Sequence, residues 1–505
     1  MAFMHFLTLS SNSLSIKFAT LGPSNKKNTA IPIPRMAWYY IVLIAAYAGT
    51  IVSLVAVVLS ENRNPVKSLA WITVLLMVPV FGVVLYIFFG RSLKNTRMIT
   101  RRNRRRLRRQ ESYPPVDIQS LPLTPESHQQ IRMAQTLQGA IYYPGNKIDI
   151  FTDGRTKFDA LLADIDAAHS YVLMEYYIIK DDTIGTAVAD ALMRKAREGV
   201  KVRLIYDHIG SLHTPNRFFR QMQEAGIEVH PFFRVTFPHF ATRVNWRNHR
   251  KLAVIDGRIG YVGGMNIADR YIDGTGSGIW RDTHLRVEGP AVGALQYAVA
   301  VDWSFMGQPL ILDTPSTRQE HHPGAGIQLI TSGPTSHWSN IAMLFHKAIA
   351  NARRRVYIQT PYFLPTDSLL RALQAAALAK VDVRIMIPAR SDSTILTYAS
   401  FSYVQECLRS GVKVYLYNAG MLHAKTVIVD DEFISVGSAN FDFRSFEHNF
   451  ESNVMIYSRE INAEMTHIFF EDIAMSERVH PGTWQKRPRA QKAKESMVRL
   501  LSPIL

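Results

Sequence analysis

One phrase occurs twice in this chain and restricts the fold to an internal duplication. His249 opens HRKLAVIDGRIGYVGGMN, and His423 opens HAKTVIVDDEFISVGSAN. Both obey a single frame: His, any residue, Lys, four residues, Asp, six residues, Gly, two residues, Asn. The fixed positions are His249, Lys251, Asp256, Gly263 and Asn266, then His423, Lys425, Asp430, Gly437 and Asn440. With each residue type drawn at about 5%, one such frame arises by chance in a chain of this length on the order of once in 10⁴. Two copies therefore mark two related halves.

The surroundings repeat as well. In the first half, KFDALLADIDAAH reads as a helix and SYVLMEYYI as a strand with Val172, Met174 and Tyr176 on one face. A helix ending at Gly199, the strand VKVRLIYD, and a further helix and strand precede the first motif. MLFHKAIANARR, VYIQTPYF, SLLRALQAAALAKVDVRIMIP and SYVQECLRSGVKVYLY give the same order before the second. The alternation predicts an α/β fold: two repeated α/β half-domains facing each other, over 146–312 and 325–480. The first half carries 11 more residues before its motif, because Val229 to His249 is 20 residues and Val414 to His423 is 9. That insertion, in PFFRVTFPHFATRVNWR, holds Phe232, Phe233, Phe237, Phe240 and Trp246 among Arg234, Arg243 and Arg247. Aromatics mixed with arginines suit a lipid boundary as well as a core.

Upstream, residues 36–59 and 69–89 carry no charge. Either run is long enough to cross a bilayer, and Pro79 kinks the second. They predict a transmembrane hairpin over 36–90, after a polar arm at 1–35. Lys and Arg on both flanks favour both termini in the cytoplasm.

The charge is concentrated. There are 58 Lys and Arg against 41 Asp and Glu, a net +17. Residues 91–109 hold ten Lys or Arg and no acid, and the tail 481–505 holds six against Glu495. A basic segment and linker thus fill 91–145. The halves between are nearly neutral, which argues against a nucleic-acid partner, since phosphate-gripping proteins spread basic charge around the groove. A basic run just after an apolar span suits anionic lipid headgroups. Cys407 is the only cysteine, which rules out an intramolecular disulfide and, within a helical pattern, sets thiol catalysis aside.

On a strand, His249 and Lys251 share a face, as do His423 and Lys425. Asp256 and Asp430 lie seven residues from their histidines, on the opposite face, where a structural turn role fits. Facing halves would join the two His–Lys pairs into a phosphoryl-transfer site. One imidazole attacks phosphorus and the other moves protons. The lysines, with Asn266 and Asn440, donate to the non-bridging oxygens. Asp282 in WRDTH and Glu451 in NFES are the expected orienters of the imidazoles. No metal and no cofactor is called for. GTGSG at 274–278 lacks the strand-to-helix setting of a nucleotide loop and reads as a flexible turn.

The doubled frame resembles the phospholipase D superfamily with its HxKxxxxD motifs. NPVKSLAWI, WRDTHLRVEGPAV, TSGP, TPYFLPTDSLL and the ending LLSPIL are similar to the bacterial cardiolipin synthase family within it, over residues 36–505. The resemblance implies a phosphatidyltransferase in the bacterial inner membrane, multi-pass, with its catalytic part in the cytoplasm. It implies phosphatidylglycerol as substrate, cardiolipin and glycerol as products, and a phosphatidyl-histidine intermediate. The family pattern leaves either histidine open as the attacking one; the assignment adopted is His249 as nucleophile and His423 as acid and base. It also counts Asp256 and Asp430 within the catalytic motifs. A phospholipase D-type hydrolase, with water as acceptor, is the alternative. A lipid-binding protein without activity fits less well, since both motifs are intact.

Overall fold

The computed structural model describes residues 35–60, 65–86, 93–94, 96–110, 113–114, 116–236, 245–276, 278–312, 323–500 and 502. The expected polar arm, the tip of the hairpin at 61–64, and Phe237, Phe240 and Arg243 of the insertion lie outside these residues. The chain divides into two compact units, Met1–Val84 and Leu85–Leu505.

The first unit is helical and apolar. Helix Arg35–Ser60 contains a window, Trp38–Ala56, long and apolar enough to cross a membrane, and none of that window is buried. Beside it lies Pro65–Met77, which is followed by the short helix Pro79–Leu85. The expected second span is thus broken in two. Pro79 has no N–H to continue the ladder. Of the two runs, only the first forms a continuous helix of spanning length among the described residues.

The second unit is built on one large sheet. The first half contributes β1 (Tyr143–Phe151), β2 (Tyr171–Tyr176), β3 (Lys201–Asp207), β4 (Glu228–Phe232), β5 (Lys251–Ile255), β6 (Ile259–Gly263), β7 (Ile279–Arg281) and β8 (His284–Glu288). The second contributes β9 (Ala325–Ser332), β10 (Arg355–Gln359), β11 (Asp382–Pro388), β12 (Lys413–Tyr417), β13 (Gly420–Leu422), β14 (Thr426–Val429), β15 (Phe433–Gly437), β16 (Glu451–Tyr457) and β17 (Ser476–Arg478). β7 and β13 pair with each other apart from the large sheet, and outward from its centre the orders match: β1-β8-β6-β5-β2-β3-β4 on one side, and β9-β16-β15-β14-β10-β11-β12-β17 on the other. The halves meet where β1 pairs antiparallel with β9. The duplication in sequence is therefore a duplication in topology, and the two half-sheets are continuous.

Strand alternation assigns each face to a core. Val172, Met174 and Tyr176 of β2 pack with helices Gly154–Asp166 and Thr183–Arg197, whereas Leu173 faces inward. Val356 and Ile358 of β10 pack with helices Asn340–Asn351 and Asp367–Leu378, whereas Tyr357 faces inward. The inner core takes side chains from both half-sheets and from helices Val292–Phe305 and Arg459–Ala474. Each large apolar side chain buried there contributes about 1.5–3 kcal/mol. That shared core fixes one half against the other.

The basic segments are more ordered than their composition suggests. Arg101–Gln110 is a helix anchored by buried Leu107. Helix Pro125–Gln138 of the linker buries Ile131 and Ala134 in the core of the second half. The C-terminal tail forms helices Pro481–Gln485 and Arg489–Arg499, stapled by the Arg487–Glu495 pair at 2.6 Å. The insertion's described aromatics join the core: Phe232 and Trp246 are buried, and Phe233 packs between them and Phe450. Arg247 is buried on Asp207 at 3.1 Å. For these residues the lipid-boundary expectation is corrected to core packing.

Candidate active site

The two histidines sit just before β5 and β14. Each is held by the main chain of the opposite half. His249 N donates to Phe450 O at 2.9 Å, and Phe450 N donates to Arg247 O at 2.8 Å. On the other side, β13 pairs parallel with β7, and His423 N donates to Arg281 O at 2.6 Å. The residue after Phe450 is Glu451, and the residue after Arg281 is Asp282. Pairing thus delivers each carboxylate to the histidine of the other half.

His249 Nδ1 is 3.0 Å from both oxygens of Glu451, and His423 Nδ1 is 2.6 Å from Asp282 Oδ2. Both carboxylates are fully buried. Burial alone would raise Glu451, but His249 and Lys251 hold it below the usual carboxylate range. Burial would likewise raise Asp282, and Lys425 and His423 hold it down. Burial lowers His249 despite Glu451, and burial with Lys425 takes His423 down to about 4. Both imidazoles are therefore neutral near pH 7. A carboxylate on Nδ1 places the proton there and leaves the Nε2 lone pair for chemistry.

Asp282 and Glu451, the expected orienters, thus each lie on a histidine Nδ1, and their arrangement is crosswise. Glu451 also accepts from Ser438 Oγ, and from Asn449 Nδ2 at 3.1 Å. Asp282 Oδ1 accepts from Thr283 N at 2.7 Å. The glycines near 274–278 serve this geometry. A Cβ on Gly278 would run into Ala419 O, and one on Gly420 into Ile279 O. GTGSG leads into the β7–β13 pairing, which replaces the expectation of a merely flexible turn.

Lys251 Nζ donates to His249 O at 2.5 Å and lies over the Tyr177 ring at 5.4 Å. Lys425 Nζ donates to His423 O and lies 2.8 Å from His423 Nδ1. Burial brings Lys251 down to about 7 and Lys425 to about 8. Lys425 lowers both Lys251 and His249 by repulsion, so the two motifs share one electrostatic site. An anionic phosphodiester favours charged lysine, so binding takes up protons where the lysines are neutral. Apparent KM for an anionic substrate should therefore rise at least about tenfold between pH 7 and pH 9. A KM that stays flat over that range would remove the lysines from substrate binding.

Asn266 is buried, with Oδ1 accepting from Ile178 N at 3.1 Å and Nδ2 donating to Tyr271 Oη at 2.7 Å. Asn440 is buried with its Oδ1 unpartnered, and its side chain bonds Asp442. Both side chains thus spend bonding capacity on the protein.

Asp256 and Asp430 stand apart from the catalytic set, as strand alternation requires. Asp256 accepts from the backbone N–H groups of His169, Ser170 and Tyr171 at 2.8–2.9 Å. Asp430 accepts from Arg353, Arg354 and Arg355 at 2.8–3.1 Å. Each sits at positive φ, 53° and 49°, and pins the start of β2 or β10. The contacts seen for both are main-chain anchors, the structural role that strand alternation suggests. Asp256→Asn should cost about 1–3 kcal/mol of stability. It should leave kcat of the folded protein within a few fold, read by thermal unfolding beside steady-state kinetics. A collapse of kcat at unchanged stability would contradict the assignment.

The sequence reading missed a buried network behind His249. Arg250 pairs with Asp302 and donates Nε to Glu451 O at 3.2 Å. Asn248 Nδ2 donates to Glu175. Burial and the nearby Asp302 carboxylate push Glu175 well above its ordinary range. A counterpart lies behind His423. Arg281 pairs with Asp472 at 2.9 Å, and Gln359 donates to Asp472 at 2.7 Å. Arg250 is the variable residue of its HxK, and its exchange for Ala424 in the second copy was the available signal.

A family model described as "Cardiolipin synthase, PLD-like domain" matches residues 161–276 and 345–473. One described as "Phospholipase_D-nuclease N-terminal" matches residues 48–91. The chain is 40% identical over 463 residues to the major cardiolipin synthase ClsA of Bacillus subtilis (strain 168), covering 89% of this chain and 96% of that protein. It is 40% identical over 461 residues to a cardiolipin synthase of Listeria monocytogenes serotype 4b (strain CLIP80459), covering 88% and 95%. Phosphatidylserine synthase of Haemophilus influenzae Rd KW20 superposes with a TM-score of 0.57 at 14% identity, over 75% of this chain and 100% of that one. At that identity the likeness concerns the fold alone.

Proposed function

We infer the reaction from two facts: the chain belongs to the bacterial cardiolipin synthase family of the phospholipase D superfamily, and each motif histidine is held at Nδ1 by a buried carboxylate of the opposite half. The chain is a cardiolipin synthase by homology. In the reaction we propose, one phosphatidylglycerol gives its phosphatidyl group to His249 Nε2. The P–O bond to glycerol breaks as the phosphorus–nitrogen bond forms, and His423, which takes up a proton at Nε2 when the anionic phosphodiester binds beside it, gives that proton to the departing alkoxide. The hydroxyl of a second phosphatidylglycerol then loses its proton to His423 and attacks phosphorus. Cardiolipin leaves, and His249 is restored. Lys251 and Lys425 stabilise the charge on the non-bridging oxygens. One phosphodiester is exchanged for another, so no external energy source enters.

The crosswise anchoring of both Nδ1 atoms carries this reading. It gives two imidazoles with free Nε2 atoms, which a two-step displacement requires. The apolar first unit supports a membrane site. We propose that Trp38–Ala56 and the broken second helix form a two-span anchor in the inner membrane, with the catalytic unit on the cytoplasmic side. The exposed flank of the first helix, including Trp38, Tyr39 and Ile44, needs an apolar surround.

Purified protein supplied with phosphatidylglycerol in mixed micelles should yield cardiolipin and free glycerol in equal amounts. Phosphatidic acid in place of cardiolipin would transfer the assignment to a hydrolase.

A further inference from the structure

The mechanism leaves one large cavity unused. It encloses about 590 Å³ between the basic helix Arg101–Gln110, the end of helix Pro125–Gln138, the inner helix Val292–Phe305 and the turn after β9. That volume lies in the range of small-ligand sites. Neither His–Lys pair lines it.

Its wall has two chemistries. Arg97, Arg104 and Arg108 form one side, and no Asp or Glu is among its described lining residues. Ala294, Tyr297, Ala298, Val301 and Leu329 form the other. The basic side is fixed in place: Ile99 and Leu107 are buried in the inner core. Arg108 Nη2 donates to Gln138 O at 3.5 Å, at the carbonyl end of a helix. Arg97 and Arg104 remain for a ligand. Half-exposed Trp338 completes the rim. A phosphate beside an apolar chain satisfies both walls, whereas free phosphate or an uncharged lipid satisfies only one.

We propose that this cavity binds an anionic phospholipid that does not react there, its phosphate on Arg97 and Arg104 and one acyl chain along Ala298, Val301 and Leu329. The site reaches the chemistry through Arg250, which lines the cavity and donates to the main-chain oxygen of Glu451. An occupied cavity therefore rests on the arginine that braces the carboxylate of His249. The inference goes beyond the reaction proposed above and concerns binding alone.

The test uses the full chain with His249→Ala, so that no lipid is consumed, in phosphatidylcholine nanodiscs. Phosphatidylglycerol with brominated acyl chains is titrated in. The fluorescence lost with Trp338→Phe defines the Trp338 signal. Saturable quenching of that signal is expected. Arg97→Gln with Arg104→Gln should weaken it at least about tenfold. Equal quenching by brominated phosphatidylcholine, or no effect of the arginine substitutions, would overturn the proposal. Displacement of the quench by millimolar inorganic phosphate would assign the cavity to free phosphate and overturn the lipid site; an unchanged quench supports it. In the otherwise wild-type enzyme, the two arginine substitutions should leave kcat within a few fold. A wild-type protein that makes no cardiolipin would defeat the proposed reaction while leaving the quench intact, so the two failures are distinguishable.

Discussion

Alanine at His249 or at His423 lowers cardiolipin formation at least about 10³-fold, with thermal unfolding close to that of the wild type. The loss is comparable at the two positions because both half-reactions use both imidazoles. Attack without an acid must expel a bare alkoxide, and an acid without a nucleophile has no intermediate to resolve. Both side chains are about nine-tenths buried yet hold few packing contacts beyond Glu451, Asp282 and the rings of Tyr177, Trp280 and Tyr271. Truncation thus removes chemistry more than core. The variants differ in what they leave behind. With phosphatidylglycerol labelled in its acyl chain, His423→Ala should retain label on the protein, because the acceptor cannot be deprotonated. His249→Ala should retain none. The reverse pattern would exchange the two roles, and a residual rate above about a tenth of wild type in either variant would remove that histidine from the mechanism.

Much of this site is legible in the sequence, and what is missing follows from how the halves meet. The repeat frame gives the strands, the shared face of His and Lys, and the opposite face of Asp256 and Asp430, because strand alternation is local. Asp282 and Glu451 can be singled out as orienters by their place after each motif. Their crosswise assignment cannot, since it depends on the β7–β13 pairing and on the hydrogen bonds between Phe450 and the segment Arg247–His249. Those are contacts between segments 141 and 202 residues apart. Arg250, Asp302 and Glu175 escape for the same reason: each looks like an ordinary charged residue until the inner helix closes over the sheet. The broken second span is a local matter, and Pro79 announces it. Only the depth of the break requires the structure.

The crosswise geometry makes its own prediction, with unequal effects. Asp282→Asn should lower kcat about 10⁴-fold, and Glu451→Gln about 10²-fold, each with KM little changed. In both, the imidazolium loses its negative partner. The difference lies in how the amide must orient. Thr283 N–H donates to Asp282 Oδ1 at 2.7 Å, so the amide oxygen of an asparagine is held there. Its NH₂ then faces His423 Nδ1, which must accept, and the ring proton moves to Nε2, where the lone pair is needed. At Glu451 the demands differ. Glutamine can keep its oxygen toward His249 and Asn449 and turn its NH₂ to Ser438, whose hydroxyl rotates to accept. The tautomer survives there, and only charge is lost. Because each carboxylate comes from the half opposite its histidine, a defect confined to one half reaches the other half's imidazole. Steady-state kinetics on the two variants, beside the pH profile of each, decide the matter. Equal losses would mean that charge alone matters, and a larger loss at Glu451→Gln would refute the tautomer argument.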